Sequence, residues 1–516
     1  MLFNSYVFLI AFLPLCLVGY FALSRWRMAG IVWLVICSLF FYAYWKESYL
    51  PLLLVSVCFN YGIGLALQRD YKKPYSLDLI AGIGVAVNLL ALFYYKYLYH
   101  IFACLNAHHF PIHLHERTIA LPLGISFFTF TQIGYLLDCR SGIAKGKNFF
   151  EYALFVTFFP HLISGPILHH REMLPQFSDA KNFKYDTQSF SVGITLFTFG
   201  LAKKLIIADP ISPYVNEMLH NSAQCSMTQA WLLALAYALQ LYFDFSGYSD
   251  MAIGLAKMFG FKFPANFNSP LQATSIIDFW QRWHMTLTRY LNLYLFNPMA
   301  LAITRHRVAR NLPVGKASTA TLGGFMHMLV VPTMITILLA GAWHGAGFQY
   351  LFYGLIHGVY LVVNHAWRVF GPKHQTIVSW RPAVKVAYKF FAWALTFVCV
   401  IVSFLMFRAE GYHQAIALYK TMFGITHGPG FTPHIDNQEL PLIYITMAVA
   451  LAIALGCANT QQILSRFEPV IGKVHPRKWA ILSWSPSPGW AVACAGLFVL
   501  TLMHMGGVSE FLYFQF

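Results

Sequence analysis

The chain has 516 residues, of which 58% are hydrophobic and only 10% are Asp, Glu, Lys or Arg, and its mean hydropathy is +0.56. A soluble domain carries about 25% charged residues, so this composition excludes a large water-soluble domain. The formal net charge of +16 fits nucleic-acid binding, contact with anionic lipid or membrane topology. Topology explains most of this charge, and we predict a lipid bilayer environment and no nucleic-acid partner.

Apolar runs of about 20 residues, long enough to cross a ~30 Å hydrocarbon layer, recur along the chain. They lack the period-2 alternation of an outer-membrane barrel, so each is predicted to be a helix. We predict an all-α polytopic membrane protein with about eleven spans, in which residues 1–516 form a single membrane-embedded domain. The clearest runs cover residues 3–23, 30–46, 49–68, 78–104, 119–137, 319–342, 346–366, 385–406, 440–457 and 488–506.

Basic residues indicate the orientation of the early spans. Arg25, Arg69 and Arg140 follow the first, third and fifth spans, whereas the loop after the second holds Lys46 beside Glu47. By the positive-inside rule, the N-terminus lies outside the cytoplasm. No cleavage site follows the first run, which is therefore predicted to be a retained anchor in a protein of the inner-membrane type.

Two sets of metal-type ligands occur without a metal-binding pattern. The segment 106–117 contains His108, His109, His113 and His115, but their spacing fits no standard zinc site. The nine Cys residues are scattered, mostly inside apolar runs, and form no CxxC pair. We predict that the chain binds no metal and that the Cys residues are small buried hydrophobes.

The region between residues 150 and 310 has a different pattern. Its apolar pieces are shorter and are interrupted by Pro, Gly and charge, as in residues 159–166, 206–210 and 265–271. Irregular backbone at membrane depth is tolerated only where it is buried in protein or lines a wet cavity. This region is therefore predicted to contain a functional centre.

Polar residues inside apolar segments are functional candidates, because ionisable groups there cost several kcal/mol. The segment 240–256 contains Asp244, Ser246 and Asp250. These side chains either hydrogen-bond to one another around a Gly-centred kink or belong to a functional site. The structural interpretation is favoured for any one of them.

A second candidate segment, residues 278–291, contains Trp280, Arg282, Trp283 and His284 in the pattern of one interfacial or re-entrant amphipathic helix. A Trp-rich helix at the headgroup boundary needs no catalytic role. His284, which lies between two arginines, is a poor choice for anchoring alone, so both interpretations stay open.

The third candidate is His344, which follows Trp343 in a Gly- and Ala-rich segment between two long apolar runs. A lone His on an apolar face is usually a core residue whose ring nitrogens are hydrogen-bonded. Here, however, it lies near the membrane centre among small residues, which let neighbouring backbone segments come close to it. No GxSxG, Walker or HExxH sequence is present. A neutral imidazole in a dry cavity can deprotonate a hydroxyl that attacks a thioester, typically worth about 10²- to 10⁴-fold, so acyl transfer fits.

Together these segments resemble the membrane-bound O-acyltransferases, specifically the bacterial branch that contains the alginate O-acetylation membrane subunit and the teichoic-acid D-alanylation membrane protein. The matching motifs are LPLGISFFTF (121–130), FPHLISGPIL (159–168), KKLIIAD (203–209), QLYFDFSGYSDMAIGLA (240–256), FWQRWHMTL (279–287), WHGAGF (343–348), YGLIHG (353–358) and FRAE (407–410). They occur in the family's order within a motif-bearing core of about residues 119–410.

The resemblance implies a ring of tilted helices, with re-entrant and interfacial helices, around a central funnel that opens to the cytoplasm. It implies that His344 is the catalytic histidine and that His284 is the second family histidine. It also implies that an acyl group, acetyl above others, passes from a cytoplasmic thioester such as acetyl-CoA to an exported polysaccharide. In this family a separate periplasmic acetyltransferase often completes the transfer.

We therefore predict an O-acyltransferase, specifically an acetyltransferase, that acts on an exported or cell-surface polysaccharide of the alginate or cellulose kind. His344 is assigned as general base, and His284 as a residue that orients the acyl group or acceptor or stabilises developing charge. No bound cofactor is expected, because acetyl-CoA or another acyl thioester is a substrate. The residues assigned to the substrate channel are Trp280, Trp283, Trp343, Arg282, Asp244, Ser246 and Asp250.

Two other functions fit the same features less well. A transporter or flippase would explain the interrupted helices and buried carboxylates, but such carriers generally show repeated halves, and this chain shows none. A non-catalytic subunit of a polysaccharide export complex would tolerate single His substitutions.

Overall fold

The computed structural model describes residues 1–69, 75–107, 120–146, 148–372, 380–436, 438–476, 482–506 and 512. Over these ranges the ordered secondary structure is helical, apart from one isolated β-bridge between Pro264 and Ile471. This arrangement confirms the all-α polytopic class.

Within the described ranges, seventeen helices of 5 to 34 residues build most of the fold. In chain order they are α1 Val7–Leu23, α2 Arg27–Ala43, α3 Glu47–Leu67, α4 Ser76–Ala107, α5 Ile125–Arg140, α6 Phe149–Thr157, α7 His170–Ser178, α8 Thr187–His220, α9 Met227–Met258, α10 Ile276–Trp280, α11 at residues 285–309, α12 Leu322–His344, α13 Phe348–Phe370, α14 Pro382–Arg408, α15 Tyr412–Met422, α16 Glu439–Gly456 and α17 Pro488–Met503.

Among the described residues, six helices are long and apolar enough to cross a membrane: α3, α4, α8, α12, α14 and α16. Three shorter helices, α1, α2 and α17, are also apolar. The helices of the C-terminal half begin and end within a few residues of the predicted runs. The predicted number of about eleven spans stays a prediction.

The middle of the chain differs from the expected short pieces. Helix α8 is 34 residues long and α9 is 32 residues long, and residues 236–258 of α9 are buried throughout. The helix continues through Gly247, where a kink was expected. A Cβ on Gly247 would lie 2.7 Å from the carbonyl oxygen of Gly200 on α8, so the glycines allow two backbones to pack in contact.

Hydrogen bonds show which loops share one end of the bundle. The Arg27 guanidinium pairs with Glu151 and donates to the carbonyl of Phe177 at 2.9 Å. Gln176 donates to the carbonyl of Lys262 at 2.9 Å. These contacts gather the loops after α1, α5 and α9 at one end, which we call the basic end. The other end, where the Tyr49 hydroxyl donates to the Ala120 carbonyl, is called the opposite end.

Candidate active site

His344 is the last residue of α12, and its neighbours in α4 hold this end of the helix. The last carbonyls of a helix have no donor within it. Lys96 Nζ donates to the carbonyl oxygens of Trp343 at 2.5 Å and His344 at 2.8 Å. The Tyr97 hydroxyl donates to the carbonyl oxygen of Ala342 at 2.8 Å. Two side chains from one helix therefore cap the end of the helix that carries the predicted catalytic histidine.

The sequence analysis missed Lys96, although a signal was present. It is an ionisable residue inside the apolar run 78–104, the same kind of signal that singled out Asp244 and Asp250. In the structure it lies in a π-helical turn, Tyr94–Leu98, within α4. Such turns are rare and frequently occur at functional sites.

The His344 ring lies in an aromatic enclosure. The ring centroid of Phe407 is 5.1 Å away and that of Trp343 is 4.9 Å away. His344 and His284 line the same small cavity of about 20 Å³, roughly the space that one water molecule needs. The full lining of this closed cavity is Leu241, Phe245, Trp283, His284, His344, Tyr353, Phe404 and Phe407.

A larger cavity reaches His344 from the opposite end. Its volume is about 350 Å³, and its lining includes Lys96, Trp343 and His344. The same lining includes Trp45 and Leu121, which are exposed at that end. We call it the outer cavity. His344 thus lies on the wall between the outer cavity and the closed cavity.

His284 lies at a break between two helices, α10 and α11, rather than within a regular helix. Its backbone is left-handed, with φ 42° and ψ 52°, and α11 begins at the next residue. The single helix predicted over 278–291 is therefore wrong: α10 ends at Trp280 and the chain turns before α11. His284 is 1% exposed, and its Nδ1 lies 3.0 Å from Oδ1 of Asn266.

A third cavity, of about 620 Å³, lies beside the same segment at the basic end. We call it the inner cavity. Its lining includes Trp280, Met285 and Arg289, together with Lys473 and His475 from the segment after α16. An adjoining polar cavity of about 890 Å³ shares Lys473 and His475 and adds the positively charged side chains of Arg171, Lys262 and Arg466.

Comparison of the sequence with known proteins identifies the family of this chain. The sequence profile described as "MBOAT, membrane-bound O-acyltransferase family" matches residues 75–312. The chain is 37% identical to the peptidoglycan O-acetyltransferase of Helicobacter pylori, over 82% of this chain and 80% of that protein. It is 33% identical to a protein of Azotobacter vinelandii named probable alginate O-acetylase, over the full length of both.

The chain belongs to the MBOAT family. A further relative, the teichoic acid D-alanyltransferase of Bacillus subtilis, is 28% identical over 60% of this chain and 73% of that protein. The resemblance read from the motifs is confirmed, and so is the enzyme class. This MBOAT protein is a multi-pass membrane acyltransferase, which disfavours the transporter and export-subunit alternatives.

The predicted channel tryptophans are distributed among the three cavities of this MBOAT protein. Trp343 lines the outer cavity and stacks on Phe130 with ring centroids 5.1 Å apart. Trp283 lines the closed cavity. Trp280 lines the inner cavity, and its Nε1 donates to Nδ1 of His357 at 3.2 Å. His357, which the sequence analysis did not single out, therefore ties α10 to α13.

Arg282 differs from the other assigned channel residues. Its Nε donates to Oδ1 of Asp278 at 2.8 Å, and both side chains are about one-third exposed, at 31% and 27%. Among the described residues that line the three cavities, Arg282 is absent. The structure places it at the surface next to the inner cavity rather than in it.

Asp244, Ser246 and Asp250 lie in the part of α9 that is buried on all sides. Asp244 Oδ1 is 2.6 Å from Nζ of Lys204 on α8, and Asp250 Oδ2 is 2.6 Å from Nζ of Lys203. Ser246 is 1% exposed. None of the three is among the described residues lining the cavities above. Their position fits the structural interpretation of this motif.

Metal ligands do not converge in the described part of the chain. No group of three or more His, Cys, Asp or Glu residues there is placed to hold a metal ion. His108, His109, His113 and His115 lie outside the described residues. The prediction that the chain binds no metal stays a prediction.

Lys96→Met is expected to destabilise the protein, because Met keeps the length of the side chain but cannot donate to the two carbonyls. A hydrogen bond to a charged group contributes about 1.5–3 kcal/mol. The midpoint of thermal unfolding of purified protein in detergent should therefore fall. Lys46→Met, at an exposed position of the opposite end, is the matched control and should leave the midpoint unchanged. Equal midpoints for both variants would show that the cap contributes nothing.

Proposed function

We propose that this MBOAT protein transfers an acetyl group from a cytoplasmic thioester donor, acetyl-CoA, across the membrane for O-acetylation of an exported or cell-surface polysaccharide. One observation carries the proposal: His344 and His284 meet at a closed cavity that lies between an outer and an inner cavity. Trp283 and His284 line the closed cavity, and Trp280 and Met285, on either side of them in sequence, line the inner cavity. Donor and acceptor would then approach the histidines from opposite sides.

In this arrangement His344 acts as general base. An acceptor hydroxyl in the outer cavity loses its proton to the His344 imidazole while its oxygen attacks the thioester carbonyl carbon. The new C–O bond forms, the C–S bond breaks, and the proton returns to the thiolate sulfur. His284 orients the acyl group or acceptor or stabilises developing charge, and Trp343, Trp283 and Trp280 form the walls of the path.

Two features support the choice of donor. The closed cavity holds about one water-sized group, which favours a short acyl group over a long chain. The basic end collects Arg171, Arg466 and Lys473 around the adjoining polar cavity, which favours an anionic, phosphate-bearing thioester. Lys262 lines the same cavity, but its charge is paired with Glu468, whose Oε2 lies 2.5 Å from Lys262 Nζ. This contact lowers the pKa of the Glu468 carboxyl.

The acceptor class follows from the relatives' names. Proteins named for peptidoglycan and alginate O-acetylation match 80% and 100% of their own lengths, so we infer a polysaccharide acceptor. A separate periplasmic acetyltransferase is proposed as partner on the resemblance of the motifs alone. We place the basic end in the cytoplasm of a bacterial inner membrane on the positive-inside rule. We also treat residues 1–516 as one domain, with the motif-bearing core at about 119–410.

The test uses inside-out vesicles from cells that produce this chain together with its native polysaccharide. Acetyl-CoA labelled in the acetyl group is added outside the vesicles, and label bound to polymer or protein inside them is counted. We expect label above that of vesicles without the chain. If only a D-alanyl carrier protein delivers label, the donor assignment is wrong, and if no donor delivers label, the proposed transfer is wrong.

A further inference from the structure

The hydrogen-bond partners of His284 determine which of its ring nitrogens carries the proton. Oδ1 of Asn266 accepts from the backbone N–H of Thr286 at 3.4 Å and from the Thr286 hydroxyl at 2.8 Å. The Thr286 hydroxyl oxygen itself accepts from the Ile167 N–H at 3.0 Å, so its hydrogen is available to Asn266. A backbone N–H can only donate, which identifies the Asn266 atom as the carbonyl oxygen, an acceptor.

The same Asn266 oxygen lies 3.0 Å from His284 Nδ1. Because that oxygen has no hydrogen, Nδ1 of His284 must be the donor. On the other side of the Asn266 amide, Nδ2 donates to the Ser249 hydroxyl at 3.0 Å, which fixes the orientation of the amide group. Asn266 therefore holds His284 as the tautomer with hydrogen on Nδ1.

The second ring nitrogen is left with a lone pair. Nε2 of His284 is buried, and it has no hydrogen-bond partner among the described residues. An unpartnered buried acceptor is costly, and His284 lines the closed cavity together with His344. A proton-bearing group that enters this cavity would find Nε2 as its acceptor.

The backbone around His284 is held by the same loop. The Met285 N–H donates to the Asn266 carbonyl at 2.9 Å, and the Asn268 N–H donates to the Arg282 carbonyl at 2.9 Å. A non-glycine residue at φ 42° persists only where its surroundings over-determine it, and such residues cluster at active sites. Asn266 thus contacts both the backbone that aims the ring and the nitrogen that sets its tautomer.

We propose that Asn266 is a positioning residue that holds His284 with hydrogen on Nδ1, so that Nε2 accepts the transferred proton in the closed cavity. The inference rests on the proposed function. His344 takes the proton of the acceptor hydroxyl; Nε2 of His284 receives it across the closed cavity and gives it to the thiolate as the C–S bond breaks. Because Nε2 carries no hydrogen before transfer, His284 serves the return of the proton and not the stabilisation of an oxyanion.

The test is a double-mutant cycle on turnover in full-length protein. Asn266→Ala, His284→Ala and the double variant are compared with the native chain for kcat and for the KM of acetyl-CoA. We expect Asn266→Ala to lower kcat at least tenfold with little change in KM, and to have no further effect when His284 is already Ala. An equal loss in both backgrounds, or no loss in the native background, would overturn the proposal.

Three further variants distinguish a positioning role of Asn266 from a purely structural one. Asn266→Asp keeps an acceptor oxygen opposite Nδ1 and should retain more turnover than Asn266→Leu, which has a similar size and no acceptor. Asn60→Ala removes another buried amide, which hydrogen-bonds to Asn88 between α3 and α4, and should leave kcat unchanged. If Asn266→Leu is as active as Asn266→Asp, the acceptor oxygen has no role and the proposal is wrong.

Thermal unfolding of the same proteins needs no substrate and keeps the inference separate from the choice of donor. If Asn266 and His284 act as a pair, the fall in the midpoint of the double variant should be smaller than the sum of the two single falls. Additive losses in the midpoint would overturn the pairing whichever acyl donor the enzyme uses.

Discussion

His344→Ala is expected to lower the rate of acyl transfer by a factor of about 10² to 10⁴, the usual contribution of a general base. Alanine removes the imidazole that lines both the outer cavity and the closed cavity, while the carbonyl contacts from Lys96 stay in place because they involve only the backbone of residue 344. The rate of label transfer from acetyl-CoA measures the effect in membranes with equal amounts of each protein.

A second histidine on the same helix supplies the control. His327 lies on α12 and is exposed, so His327→Ala removes an imidazole from α12 without touching any of the three cavities. It should transfer label at the native rate. Native activity in the His344→Ala variant would remove His344 from the reaction and leave His284 as the remaining histidine of the closed cavity.

Lys204→Met is expected to have the largest effect on stability. Asp244 and Lys204 are both 3% exposed in their side chains and lie 2.6 Å apart between α8 and α9. Removing one partner of a buried ion pair leaves an uncompensated charge and costs about 3–5 kcal/mol. The yield of membrane-inserted protein and its midpoint of thermal unfolding should both fall sharply, because Asp209, 2.7 Å from Lys204, loses the same partner.

Two comparisons show whether burial causes this effect. The double variant Lys204→Met with Asp244→Leu also removes the more deeply buried carboxylate, whose side chain is 3% exposed against 15% for Asp209. It should recover part of the lost midpoint, because apolar pairs of similar size often replace buried ion pairs at little cost. Asp78→Ala breaks an ion pair with Arg140 whose side chains are 66% and 33% exposed, and it should cost about 0–1 kcal/mol. A double variant no better than Lys204→Met would mean that the unpaired Asp244 carboxylate is not the cause of the loss.

The interrupted pattern between residues 150 and 310 led the sequence analysis to a partly wrong picture. Pro, Gly and charged residues suggested short, broken pieces, yet α8 and α9 are long helices whose polar residues pair with each other. Lys203 and Lys204 meet Asp250 and Asp244 across the helix contact. A buried charge looks the same in a sequence whether it pairs or serves a site, because the partner comes from another segment.

The sequence by itself determined the membrane environment, the helical class and the family, and it singled out the two histidines that line the closed cavity. Hydropathy over about 20 residues and the need to satisfy backbone hydrogen bonds in lipid are properties of one continuous segment, so they can be read locally. The position of His344 at a Gly-rich helix end is likewise local. These features required no knowledge of which helices are neighbours.

Only the tertiary structure decided which polar groups meet. The Lys96 ammonium donates to the carbonyl of His344, 248 residues further along the chain. Asn266 hydrogen-bonds to His284, 18 residues further along. Trp280 and Trp283 came from one motif but line different cavities. These contacts depend on how distant helices pack and on where the backbone leaves the helical conformation, and neither is specified by a local pattern of residues.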